Sequence, residues 1–307
     1  MHSTQTLQDA KRVALRHASA TFSAESDPVL EVAEGEPFII EASSLLTGGL
    51  FETTTDYAKL SIPVTGPVAV TGAQPGDALR IDIHEINIDD RGAMVTLPGR
   101  GGFSRTLEKT GRIVEIVHDE VLFDAETRIP IRPMVGKIGL APSTGTPNSS
   151  TVGAHGGNMD CKDVVAGSSV ILPVQVAGAF LSAGDLHAVQ GDGECSLTAV
   201  EVAGNILLSC SVIAGAAPRR PVVLSGGSVI TIGDGESLDE AASHALDDML
   251  ALLQADRRWP AEKAAMLLSA AADVGVTQLV NARASVKVSL STRYFNSPLF
   301  VPGTSPN

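Results

Sequence analysis

Two short polar stretches hold the residue types that chemistry needs. The first is AHGGNMDCKD, Ala154 to Asp163, in which a histidine, an asparagine and two acids surround a glycine pair. The second, SAGDLHAVQGDGE, runs from Ser182 to Glu194 and holds Asp185, His187, Gln190, Asp192 and Glu194. Asp185 and His187 are two positions apart. On an extended strand they project from one face, about 6–7 Å apart at Cα, and both can reach a single ion. Gln190, Asp192 and Glu194 continue the alternation, with glycines that leave the opposite face bare and allow close backbone packing or a bulge. Gly156-Gly157 reads as a tight turn that presents His155 and Asn158. Histidine with carboxylates and few thiols suits zinc, or another borderline divalent ion, at a catalytic site with one position open to water. The oxygen-rich Asp192 and Gln190 suit calcium instead. The competing reading of the second stretch is a polar hairpin tip.

Other chemistries have weaker support. A thiol nucleophile needs a lowered pKa from His, Lys or a helix N-terminus. Cys161 has Lys162 beside it, but neighbours in an extended segment point to opposite faces, so Cys161 reads as a buried thiol. No G-x-S-x-G elbow is present. The Gly167-Ser168-Ser169 run lacks the second glycine pair and upstream lysine of amidase-signature enzymes. Neither G-x-G-x-x-G nor a phosphate-binding G-x-x-x-x-G-K-[ST] follows a strand. His84, His118 and His244 stand alone and read as surface or internally satisfied residues.

The elements that must position these groups are mostly strands. Short Val-, Ile- and Leu-rich runs alternate with Gly, Pro and Asp turns over the first two thirds of the 307 residues. PFIIEAS (37–43), GPVAV (66–70), DALRIDIHEINI (77–88), RIVEIVHDEVLF (112–123), SSVILPVQV (168–176), SLTAVEV (196–202), NILLSCSVI (205–213) and SVITI (228–232) read as strands. In the third, Leu79, Ile81 and Ile83 face one way and Arg80, Asp82 and His84 the other, as in a half-buried antiparallel strand. Ser237 and Glu240 form a capping box ahead of a helix with Leu238, Ala242, Leu246, Met249 and Leu253 at helical spacing. Pro260 opens a second helix through Ala264, Leu267, Leu268 and Ala271. VTQLVNARA and VKVSLSTRYF then read as closing strands, and the tail LFVPGTSPN as loosely held. The expected division is an extension over 1–28, a mainly-β catalytic region over 29–235 and an α/β element over 236–307.

Composition narrows the partners. Twenty-two basic against 35 acidic residues leave a formal charge of −13, which argues against nucleic acid and anionic membranes. Aromatics at 4% offer no stacking platform for single strands. Three cysteines, Cys161, Cys195 and Cys210, fit a reducing compartment without a disulfide framework. The first twenty residues have no apolar run after their basic residues, and no stretch approaches a membrane span. A cytoplasmic protein acting on a neutral small molecule is expected.

Taken together, HGGNMD (155–160) and SAGDLHAVQGDGE (182–194) resemble the acetamidase/formamidase family. PVTGPVAVTGAQPGDALRIDI (63–83), RIPIRPMVGKIGLAPS (128–143) and AMLLSAAADVGVTQLVN (265–281) are similar to further blocks of it, in the same order. The resemblance implies hydrolysis of short aliphatic amides, a bound divalent metal, a homodimer, and a mainly-β fold with sandwich-like and barrel-like portions and a C-terminal α/β element of two antiparallel helices returning to strands. Under it His155, Asp185, His187 and Asp192 form the expected metal set, with zinc ahead of calcium. Glu194 is the expected general base, Asn158 the oxyanion donor and Asp160 a catalytic-site carboxylate that orients a ligand. Asp160 and Asp185, or Asp192 and Glu194, can exchange roles on these grounds. A cysteine-dependent amidase using Cys161 and a non-catalytic, metal-stabilised β-sandwich binding protein are the alternatives.

Overall fold

The computed structural model describes residues 10–47 and 61–303. It is mainly β: a curled and largely antiparallel sheet, with two helices near the C-terminal end. Its backbone is the long strand Ala78–Thr96 paired antiparallel with Glu201–Ile213. Ala78–Ile83 alternates buried and half-buried residues as the sequence pattern requires, with Leu79, Ile81 and Ile83 in the main core. Ser169–Pro173 and Thr110–Val117 add to the same long strand. Phe38–Ala42 lies on the far side of Glu201–Ile213 and takes Lys11–Val13 in parallel.

A second run of pairings carries the polar stretches. Leu181–His187 is paired antiparallel with Val64–Val70, Met134–Gly139 and the start of Glu201–Ile213. Met134–Gly139 in turn pairs with the short strand Gly156–Asn158. Met134–Gly139 and Leu181–His187 are buried along their whole length. Charged side chains on them are therefore withdrawn from water.

The C-terminal element closes on this sheet. Val222–Ser225 and Ser228–Gly235 form a hairpin across Gly226-Gly227, whose φ values of 57° and 77° meet the needs of a two-residue turn. Ala284–Ser291 pairs with Ser228–Gly235, and Asp273–Gln278 with Ala284–Ser291. Helix α1 (Leu238–Arg257) lies against these strands, and α2 (Ala261–Ala271) against α1. The Ser237 hydroxyl accepts from Glu240 N–H at 3.2 Å as predicted, while the Glu240 carboxylate accepts from Glu236 N–H rather than from Ser237. The buried stripe of α1 is Ala241, Ala245, Met249 and Leu253, one position earlier in its first turns than the expected Ala242 and Leu246; Leu238 is exposed. Close packing explains the shift. A Cβ on Gly233 would overlap the carbonyl of Ala241, so only small residues of the helix fit over that strand.

Several expected elements differ. RIVEIVHDEVLF is two strands, Thr110–Val117 and Glu120–Leu122, because His118 and Asp119 both take positive φ. SLTAVEV enters a strand only at Glu201. VTQLVNARA leaves its strand at Gln278, and 279–283 form a loop. In the tail, Leu299 and Phe300 pack against the helix-sheet core and Phe300 O accepts from Arg80, so 299–303 are held; 304–307 lie outside the described residues.

Gly233→Ala is expected to destabilise the protein by about 1–3 kcal/mol through overpacking, read as a shift in the urea midpoint with an unchanged slope. Ser237→Ala is expected to cost about 1 kcal/mol through loss of the cap.

Candidate active site

Strand register assembles the site. His187 lies opposite both Met134 and Glu201, and Lys137 lies opposite Gly184 and Asn158. The strand pairing therefore brings Asp185, His187, Glu201, Lys137 and Asn158 together. Asp160 follows Gly156–Asn158, and its N–H donates to Gly136 O at 3.1 Å. Asp160, Asp185 and Glu194 take φ of 44°, 59° and 47°, a left-handed backbone that costs each of these non-glycine residues of order 1 kcal/mol or more. Three carboxylates held this way in one place mark a functional site.

Two overlapping sets of ligand atoms result, Asp160–Asp185–His187 and His187–Glu194–Glu201, each with its atoms within 4.8 Å of one another. Gln190 fixes the imidazole. Its amide nitrogen donates to Asp160 O at 2.6 Å and to Thr277 O at 3.2 Å, so its oxygen accepts from His187 Nδ1–H at 2.8 Å. His187 Nε2 then faces the carboxylates, 3.2 Å from Glu201 Oε2 and 3.9 Å from Asp185 Oδ1. Lys137 Nζ sits 3.3 Å from Asp185 Oδ2 and donates to Ile62 O at 2.7 Å. Ala199 N–H donates to Glu194 Oε1 at 3.1 Å.

Burial dominates the electrostatics. It pushes the Asp160 carboxyl up to about 7, with His187 pulling it down and Asp185 adding to the rise. Glu194 is raised well above the usual carboxylate range by burial and then by Asp160. Glu201 is raised by burial against the pull of His187. Burial alone lowers His187, but Glu201, Asp185 and Glu194 outweigh it and hold the imidazole well above its ordinary value.

These residues fit a divalent cation. His187 Nε2, Asp160 Oδ1, Glu201 Oε2 and Asn158 Oδ1 are all buried without a hydrogen-bond partner; the close approach of His187 to Glu201 is too poorly aligned to count as a hydrogen bond. Gly136 leaves the space open, since a Cβ there would lie 2.7 Å from Asp160 Oδ1 and 3.1 Å from His187 Cε1. One imidazole among buried carboxylates, with orphaned atoms on His187, Asp160 and Glu201, is a donor set that a positive charge would complete. The cluster opens into a cavity of about 780 Å³.

Most of the chain can be laid on a solved structure. The crystal structure of a predicted acetamidase/formamidase from the thermophile Thermoanaerobacter tengcongensis is 33% identical with a TM-score of 0.88, over 92% of this chain and 96% of that one. The chain belongs to the acetamidase/formamidase family. The model of that family matches residues 150–296, a span that contains both polar stretches. An acetamidase from Bacillus halodurans is 34% identical with a TM-score of 0.86, over 92% of this chain and 98% of that one. A formamidase from Methylophilus methylotrophus is 38% identical over 112 residues, 33% of this chain and 28% of the relative. Matched segments of the curated relatives span less than a third of their length.

Within this family member, Asp160, Asp185, His187, Glu194 and Asn158 come together as the motifs suggested. His155 and Asp192 do not. Gly156-Gly157 belongs to a strand, and His155 falls in the two-residue turn, Ala154-His155, that joins it to Val152–Gly153. His155 packs edge-on against Phe22, with ring centroids 5.1 Å apart, and burial holds it down to about 4, countered only by Asp234. Asp192 accepts from Lys287 at 2.8 Å and pairs with Lys162 at 2.9 Å, outside both ligand sets. Cys161 is fully buried and its thiol is pushed up to about 12 by burial, the opposite of an activated nucleophile. Two residues escaped the motif reading, Lys137 and Glu201. Each is a lone charge in an apolar run, MVGKIG and TAVEV, and that misfit is the signal that finds them. The loop 279–283 was read as strand, yet Asn281 Nδ2 donates to Asp160 Oδ2 at 3.3 Å.

His155 generates a pH test. Its pKa is depressed in the folded state, so the unfolded chain binds the extra proton, and the stability present above pH 6.5 is lost as pH falls toward 4. The loss at pH 5 is about 2 kcal/mol. His155→Gln cannot take that proton. Its urea midpoint is expected to fall less between pH 7 and pH 5 than that of the unsubstituted protein. A second substitution, Gly136→Ala, is expected to lower bound metal, measured by elemental analysis, at least tenfold while the circular dichroism spectrum is kept.

Proposed function

We propose that the protein hydrolyses short aliphatic amides to a carboxylate and ammonia, with a divalent cation held by Asp160, Asp185, His187 and Glu201. The carrying observation is the buried set of carboxylates and one imidazole with orphaned atoms at the cavity, in a chain whose relatives include a formamidase and an acetamidase. One imidazole with carboxylates supports zinc, and the excess of oxygen keeps calcium as the second choice. When bound, such a cation supplies Lewis acidity, which eases the ionisation of water and the polarisation of a carbonyl.

The chain's own groups supply the rest. Glu194 has one oxygen tied to Ala199 N–H and a raised affinity for protons. It takes a proton from the attacking water and delivers it to the leaving nitrogen. The water oxygen bonds to the acyl carbon, the C–N bond breaks, and ammonia leaves. Asn158 lines the cavity and donates to the carbonyl oxygen as charge gathers there. Lys137 orients Asp185 and adds positive charge beside the same oxygen. Family membership supports a homodimer, and three free cysteines support a reducing, cytoplasmic setting. Among the described residues no helix is long and apolar enough to cross a membrane.

Ammonia release from formamide and acetamide tests the reading. Glu194→Gln is expected to lower kcat by about 10²–10⁴-fold, as loss of general acid–base catalysis does, with metal content retained. Chelation is expected to abolish turnover and added zinc to restore it; turnover that survives complete metal removal overturns the proposal. Cys161→Ser is expected to keep turnover.

A further inference from the structure

The cavity is far larger than a two-carbon amide needs. At the roughly 30 Å³ that one water occupies in the liquid, the four heavy atoms of acetamide take on the order of 120 Å³, against about 780 Å³ in the structure. The charges around this space are uneven. Asp160, Asp185, Glu194 and Glu201 line it, and so do Lys137, which is paired with Asp185, and two arginines, Arg100 and Arg283.

The arginines are in different states. Arg283 donates from Nε and Nη2 to Asp234 Oδ2 at 2.8 and 2.7 Å, so its charge is matched. Arg100 donates to Val280 O at 3.3 Å and has no carboxylate partner among the described residues. A guanidinium has five N–H donors in a fork that matches a carboxylate. In a chain of charge −13, acids are plentiful, yet this half-buried arginine in a cavity wall is left without one. The acidic cluster repels an anion, while Arg100 attracts it. An elongated molecule with one neutral amide end and one anionic end therefore has a single favoured orientation, with the amide at the acidic cluster.

We propose that the preferred substrate is a primary amide whose acyl chain ends in a carboxylate, a half-amide of a dicarboxylic acid, and that Arg100 binds that carboxylate. The proposal rests on the amide-hydrolysis reading above. Water adds to the amide carbon, the C–N bond breaks, and the products are ammonia and the dicarboxylate. A half-amide of nine heavy atoms takes on the order of 270 Å³ by the same measure, which the cavity holds.

Glutaramate and pentanamide, close in length and differing in charge, are the probes. Ammonia release gives kcat/KM for each. In the unsubstituted protein, glutaramate is expected to exceed pentanamide at least tenfold, mainly through KM, with the ratio shrinking as salt rises. Arg100→Gln is expected to reduce that ratio tenfold or more, and Arg100→Lys to retain part of it. A ratio near or below one, or a ratio that Arg100→Gln leaves unmoved, overturns the proposal. Calorimetric binding of glutarate separates the two readings. Binding that Arg100→Gln weakens tenfold, with no ammonia released from any amide, keeps the anion site and sinks the hydrolase. Turnover of pentanamide with glutarate binding indifferent to Arg100 keeps the hydrolase and sinks the anion site.

Discussion

The amide of Gln190 is the interaction on which the site depends. Its oxygen accepts from His187 Nδ1–H, and its nitrogen donates to the carbonyls of Asp160 and Thr277. One planar group thus sets the histidine tautomer, anchors the turn that carries Asp160, and ties both to the C-terminal strand Asp273–Gln278. Thr277 repeats the connection, since its hydroxyl donates to Met159 O at 2.8 Å. Gly193 N–H donates to Thr277 O, and Leu279 N–H to Gly193 O, which seat the loop before Glu194 on the same strand. The C-terminal element is therefore part of the framework that holds the carboxylate–imidazole cluster. Buried hydrogen bonds of this kind are costly to leave unmade, so the three segments are held in register together.

That framework works against a cost. Asp160, Glu194 and Glu201 are buried with proton affinities raised by desolvation, and Asp160, Asp185 and Glu194 also sit in left-handed backbone. Sequestered carboxylates favour neutral forms unless a positive charge answers them. Lys137 answers part of the charge. The orphaned oxygens and the Nε2 that remain could hold a divalent cation. Stability has been set aside here for a preorganised, water-poor site, and the sheet that surrounds it makes up the difference through an extensive buried core.

Much of the architecture was legible because period-2 alternation and capping chemistry are local. The strand read over 77–88 and the Ser237 cap follow from their own residues, while the continuation of that strand to Thr96 does not. The failures were equally local in form but not in cause. HGGN looked like one turn because glycines favour turns, yet Met134–Gly139 recruits Gly156–Asn158 as a strand partner and leaves His155 in the turn before it, packed on Phe22. SLTAVEV looked like a strand, yet its first half is drawn off as the loop that donates Ala199 N–H to Glu194.

The sequence by itself determined the inventory: a histidine and several carboxylates at spacings suited to an ion, on mainly-β scaffolding, with no activated thiol in prospect. Local rules settle such matters because alternation, glycine spacing and charge count need no knowledge of distant partners. Only the tertiary structure decided membership. Asp192 is claimed by Lys287 and Lys162, His155 by Phe22, while Glu201 and Lys137 enter from strands that carried no motif. Which of several similar carboxylates reaches the site depends on strand register and on competing ion pairs, and both are set by contacts between residues far apart in the chain.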